Sequence, residues 1–260
     1  MNRRGTGERT VARVGAVALV LGLGLGAGGC GLLFEDPGAP EPRPADDAAG
    51  MPTMPEDTVS APGSEVAGRT GPLDTADPRD PSVRAALAEA GGLPAGLGTL
   101  RQEEIAIRVR RGELEMFVVP LHEGVTRTAA PDTWERLSAL ALSHRRWFRE
   151  RTGSDAPYRL FLVALYSEAE PLAFEADELT LVSGGLRLRH VMLRGLTPGW
   201  DQQRLQPGES QMAVYAFPPE VVLSGDLEVE YQEVRSRDWS RILPVVEAER
   251  RRVRTRVGGT

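Results

Sequence analysis

The run Tyr158–Tyr166, YRLFLVALY, restricts the possible folds more than any other part of the chain. It offers apolar side chains to both faces of an extended strand, so it belongs in the middle of a sheet covered on both sides. Shorter strand signals surround it. In Glu104–Arg110 the residues Ile105, Ile107 and Val109 alternate onto one face, as in a half-buried strand. Arg111-Gly112 is a turn, and Glu113–Val119 is its hairpin partner. Further strands are expected at Leu179–Val182, Leu186–Leu193, Gln211–Phe217 and Leu227–Tyr231. Ser183-Gly184-Gly185 and Leu205–Glu209 supply the intervening turns.

Helical periodicity marks three segments. Pro81–Ala88 opens the region and stops near Gly91-Gly92. Helix 133–151 carries Trp134, Leu137, Ala141, His144 and Phe148 on one stripe, widened by Leu140 and Trp147. Asp132 is its expected cap, Glu135 completes a capping box, and Gly153 is a natural stop. A C-terminal helix, about 239–254, has Trp239, Ile242, Val246 and Val253 as its apolar set. The expectation is a single mainly β domain over 81–260, of α+β class, with an antiparallel β-sandwich, one inserted helix and a C-terminal helix.

What precedes that domain differs in composition. Arg3, Arg4, Arg9 and Arg13 form a basic start, and Val14–Ala27 is an apolar run of 14 residues. Crossing a bilayer takes about 20 residues, so the order reads as a secretory signal spanning 1–29. From Phe34 to Pro81 the chain is rich in Pro, Gly, Ala and acids, with no aromatic after Phe34. Such a stretch buries too little apolar surface to offset its ordering entropy, so 30–80 is expected to be an unfolded acidic tether. As a coil it would span roughly 40 Å.

The charge is distributed accordingly. The formal net charge is −6. All 31 basic residues are Arg; there is no Lys. Residues 30–80 hold eleven acids against three Arg, which leaves the domain near −1. A balanced domain has no general electrostatic footprint for nucleic acid, which is not expected as a partner.

The one cysteine, Cys30, follows Ala27-Gly28-Gly29. This junction resembles the lipobox of bacterial lipoproteins, although Ala27 stands where Leu is usual. The resemblance implies cleavage between Gly29 and Cys30, a diacylglyceryl group (palmitate or similar) on the Cys30 sulfur, and usually an N-acyl chain. Two or more chains anchor durably at about 0.8 kcal/mol per buried CH₂. With Gly31 and not Asp after the cysteine, the address implied is the cell envelope. In a cell with two membranes it is the outer one, facing the periplasm. Residues Tyr158–Tyr231 resemble the immunoglobulin-like sandwich domains of many secreted bacterial lipoproteins. The long first strand, the turn LQPGES at Leu205–Ser210 and the following MAVYAFP carry that likeness. It brings no catalytic residues with it.

Local signs of chemistry are few. His122-Glu123 lacks the second histidine of an H-E-x-x-H zinc helix. His144 and His190 fall on apolar stripes as core or rim residues. There is no G-x-S-x-G turn, no thiol in the domain and no phosphate-cradling glycine loop there. No metal or cofactor is expected. Asp177-Glu178 and the Asp226, Glu228 pair read as solvated strand ends. The sharpest charge cluster is Arg250, Arg251, Arg252, Arg254 and Arg256, a candidate contact for an acidic partner that also complements a helix C-terminus. The leading expectation is a non-enzymatic binding or assembly module of the envelope, held by lipid and contacting an envelope protein or polymer. The alternative is an envelope hydrolase whose site is assembled from separated acids or histidines.

Overall fold

A computed structural model describes residues 71–154, 156–169 and 171–258. The expected signal, the lipobox-like junction at Cys30 and the expected tether up to residue 70 lie outside the described residues. Among the described residues no helix is long and apolar enough to cross a membrane.

The body is mixed α+β, built on antiparallel sheets. In chain order it runs α1 (Pro81–Ala90), β1 (Ile107–Arg111), β2 (Leu114–Pro120), α2 (Glu123–Thr126), α3 (Pro131–Thr152), β3 (Arg159–Ser167) and β4 (Leu172–Ala173). There follow β5 (Leu179–Ser183), β6 (Leu186–Arg189), β7 (Met192–Gly195), β8 (Arg204–Leu205), β9 (Ser210–Phe217), β10 (Leu227–Tyr231), β11 (Val234–Ser236) and α4 (Trp239–Gly258). One sheet has the order β1-β2-β3-β9-β7, a second β11-β10-β5-β6, and β4 pairs with β8. Every pairing between these strands is antiparallel.

The strand β3 occupies the centre of the larger sheet, with β2 on one side and β9 on the other. Its residues Leu160 to Leu165 are all buried, as a run without polar alternation requires. One face is closed by α3: Arg194 of β7 lies 4.8 Å over the Trp147 ring, on the side it shares with Val214 and Leu162 across the register. The other face looks to the second sheet, where Tyr215 donates its hydroxyl to the Ala176 carbonyl at 2.9 Å. Leu179, Leu181, Leu227, Val229 and Tyr231 of β5 and β10 join it in one buried cluster. The outer face of the second sheet is polar instead. There Glu230 takes Arg187 at 2.7 Å and also Arg235, while Glu228 takes Arg235 at 2.9 Å and Arg237 at 2.8 Å.

The helices follow local rules with two departures. In α1, Asp80 caps the Ser82 N–H at 2.8 Å and Gly91 ends the helix at φ 56°. In α3, Gly153 stops the helix at φ 62° as expected, but Asp132 is not its cap. Pro131 takes the first helical position and Ala130 precedes it, so Asp132 falls inside the first turn, where its charge still favours the helix dipole. In α4 the proline at 244 lies inside the helix, and the helix runs on to Gly258, past the expected end at 254.

Strand assignments also change, and the short pair β4–β8 is an addition, with Leu205 in a strand and not only in a turn. The segment Leu186–Leu193 is not one strand: β6 and β7 belong to different sheets, and the chain crosses between them at His190-Val191. The reason is the His190 ring, which turns in against Tyr215 and Phe217, with centroids 5.1 and 6.2 Å away. The strand expected from Glu104 starts at Ile107, because Gln102–Glu104 form a single 3-10 turn. Strand β11 is an addition, paired with β10. The folded body also begins before Pro81. Leu73 is buried, and Asp80 bonds Arg146 at 2.6 Å and Arg149 at 2.9 Å, so residues 71–80 belong to it and not to a tether.

Candidate functional site

The helical phase of α4 divides the arginine run. Residues four apart share a helix face, so Arg250 and Arg254 point one way and Arg252 and Arg256 another. Arg252 and Arg256 are exposed but engaged within the body. Both pair with Glu249, at 3.3 and 3.2 Å, and Arg256 also reaches the Leu97 carbonyl. Burial alone would raise the Glu249 pKa, but the Thr99 hydroxyl and the two guanidiniums outweigh it and hold the carboxyl below its ordinary value. Arg251 is exposed. Arg250 and Arg254 line a cleft shared with other elements, whereas Arg251, Arg252 and Arg256 line a shallower, more open depression along α4 itself.

The cleft measures about 290 Å³ and lies where the end of α1, the β2–α2 corner, the start of β3, the Pro219–Ser224 loop and α4 converge. Its charged groups are Glu89, Arg159, Arg250 and Arg254, with His122 among them. Glu89 is already satisfied. Both its oxygens accept from Arg145 at 2.6 Å, Arg159 lies at 3.2 Å, and the Glu123 N–H donates to it at 3.3 Å. Three guanidiniums against one carboxylate leave the lining cationic. Arg250 spends its Nε on the Gly124 carbonyl at 2.7 Å, which fixes α4 to the β2–α2 corner and leaves its terminal nitrogens over. Its pKa lies below the ordinary arginine value, chiefly through burial. Arg254 makes no ion pair among the described residues.

His122 is set by its backbone. Its Nδ1 accepts the Gly124 N–H at 3.1 Å, capping α2. A neutral imidazole with Nδ1 as acceptor carries its proton on Nε2. Burial lowers its pKa to about 4, reinforced by Arg159, Arg145 and Arg250 and opposed by Glu89, so the ring is neutral near pH 7. His122 therefore contributes an N–H donor. Gly124 sits close to both groups: a Cβ there would come within 3.0 Å of the Glu89 carbonyl and 3.1 Å of the His122 ring, so a larger residue would press on the corner.

Beneath the cleft lies a buried support. The Glu123 side chain is 2 % exposed and accepts from Arg127 at 2.8 Å, from the Trp134 indole at 3.3 Å and from the Ser138 hydroxyl. Arg127 continues to the Leu93 carbonyl at 2.6 Å. This network ties α2 to α3 and to the Leu93 wall, and so fixes the corner that carries His122.

The other candidate residues are placed elsewhere. His144 donates from Nδ1 to the Leu140 carbonyl at 2.9 Å inside α3, and burial lowers its pKa. His190 packs on Tyr215 and Phe217 and meets Asp177 at 3.2 Å, outside the lining of the cleft; the Asp177 carboxylate is otherwise exposed to solvent. Glu228 is engaged by two arginines. Among the described residues no group of three or more His, Cys, Asp or Glu is arranged to hold a metal ion. Glu89 and Arg159 were not legible as site residues, since no local motif marks a pair 70 positions apart.

The arrangement can bind an acceptor-rich group and has few means to abstract a proton. The chain matches no protein-family model, no curated protein and no solved structure.

Proposed function

We propose that this chain is a lipid-anchored protein of the cell envelope whose body is a non-enzymatic module binding an anionic partner. The observation that carries the binding reading is that the cleft presents donors: Arg159, Arg250, Arg254 and the Nε2–H of His122, around a carboxylate already paired. A ligand completing those bonds must bring acceptors and negative charge. Against the hydrolase reading stands the tautomer of His122. The nitrogen that would serve as general base is spent on the Gly124 N–H.

The anchor rests on the sequence alone: the basic start, the short apolar run and small residues before Cys30. We also read the body as an immunoglobulin-like sandwich. With β1 set aside, β2-β3-β9-β7 and β11-β10-β5-β6 follow the A-B-E-D and G-F-C-C′ orders of such domains.

Two measurements test the proposal. Metabolic labelling with a fatty acid should mark the wild type and not Cys30→Ala; equal labelling of both removes the anchor. Thermal melts of the full chain in detergent should shift upward with at least one of citrate, polyphosphate or polyglutamate, because a ligand bound only by the folded state stabilises it. The shift should be lost in Arg254→Gln. No shift with any anion would sink the cleft as an anion site.

A further inference from the structure

The cleft has two chemically different walls. Arg159, Arg250 and Arg254 supply one; Leu93, Val221, Val222 and Leu223 supply the other. Leu93 and Val221 are buried at 1 % exposure, whereas Val222 stands at the rim 49 % exposed. The Val222 backbone is pinned by its N–H to the Ser183 hydroxyl at 3.0 Å, so the side chain is held in place at the mouth. Trp239 donates to the Leu223 carbonyl at 3.2 Å and fixes the wall from behind.

We infer that the partner seated here is a polypeptide segment in which an acidic side chain stands beside an aliphatic one. This rests on the anion-binding reading above and narrows it. A carboxylate matches the planar fork of a guanidinium, and the terminal nitrogens of Arg250 and the whole of Arg254 are open to it. The neighbouring aliphatic group covers Val222, which a bare polyanion leaves facing water. At about 290 Å³ the space lies at the lower end of ligand pockets, room for about two side chains. A flat bilayer surface does not enter a concave site of that size, and a phosphate polymer has nothing to bury on the aliphatic wall. A short acidic-aliphatic segment satisfies both walls at once.

The test is fluorescence anisotropy on the full chain in detergent micelles, with a labelled eight-residue peptide alternating Glu and Val. Control peptides alternate Gln and Val, or Glu and Ser. Competitors are inorganic polyphosphate and mixed micelles containing phosphatidylglycerol. The Glu–Val peptide should bind, with both controls about tenfold weaker or more. Arg254→Gln and Val222→Ser should each weaken it to a similar degree; Val222 is exposed and Arg254 makes no ion pair, so neither change disturbs the fold. Equal binding of Glu–Val and Glu–Ser peptides, or no effect of Val222→Ser, overturns the polypeptide inference and leaves the anion site standing. Tighter binding of polyphosphate or phosphatidylglycerol than of the Glu–Val peptide does the same. If no acidic probe binds, or Arg254→Gln changes nothing, both readings fall.

Discussion

Replacing Glu123 by Ala strands three donors at once. The Arg127 guanidinium, 9 % exposed, keeps only the Leu93 carbonyl, while the Trp134 indole N–H and the Ser138 hydroxyl lose their acceptor. Removing one partner of a buried ion pair costs about 3–5 kcal/mol, because the remaining charge stays desolvated. The two neutral donors act through the same carboxylate, so their losses overlap with that figure instead of adding to it. Against a domain stability of about 5–15 kcal/mol this is a large share. For a body of this size each kcal/mol moves Tm by about 2–4 °C, so Glu123→Ala should melt roughly 6–20 °C below wild type. Differential scanning calorimetry at pH 7 reads it. The double variant Glu123→Leu/Arg127→Leu should recover a good part of the loss, since an apolar pair leaves no orphaned charge. Should Glu123→Ala melt within about 2 °C of wild type, the buried network does not hold the corner, and the account of His122's placement goes with it.

Three further outcomes follow. His122 is depressed to about 4 from an ordinary 6.5, so the unfolded chain binds its proton first as pH falls. Its contribution is complete above pH 6.5 and fades between pH 6.5 and 4, by at most about 3 kcal/mol; His122→Asn should flatten that part of the stability–pH profile. Gly98→Ala should fail to fold or lose several kcal/mol, because its Cβ would lie 2.2 Å from the Thr128 backbone, with no flexible atom to yield; soluble yield and melting report it. Leu162→Ala, in the middle of β3 at 2 % exposure, should cost about 2–5 kcal/mol by denaturant titration, and a loss under 1 kcal/mol would argue that β3 is not central.

Legibility in the sequence followed the range of the interactions. The all-apolar run of β3 and the stripe of α3 declare themselves, since period and burial are local properties. So does the turn between β5 and β6, where Gly184 and Gly185 take φ of 56° and 81°. The break at His190 is only half local. Strict alternation ends at Arg189, since Val191 and Leu193 are apolar where Arg187 and Arg189 are charged, but the contact of the histidine with the aromatic rings of β9 is long-range. A proline usually breaks a helix, yet α4 continues through Pro244. At the site, the arginines of α4 stood out as a run, but sorting Arg250 and Arg254 from Arg252 and Arg256 needed the helical phase and the position of Glu249. Glu89 carried no signal, because its partners Arg145 and Arg159 come from α3 and β3.

Gly71 rests on the Trp134 ring so closely that a Cβ would overlap it, and the Trp134 indole bonds Glu123, the neighbour of His122. The start of the body and the corner that carries His122 thus share one buried indole, so that trimming Trp134 would loosen both together.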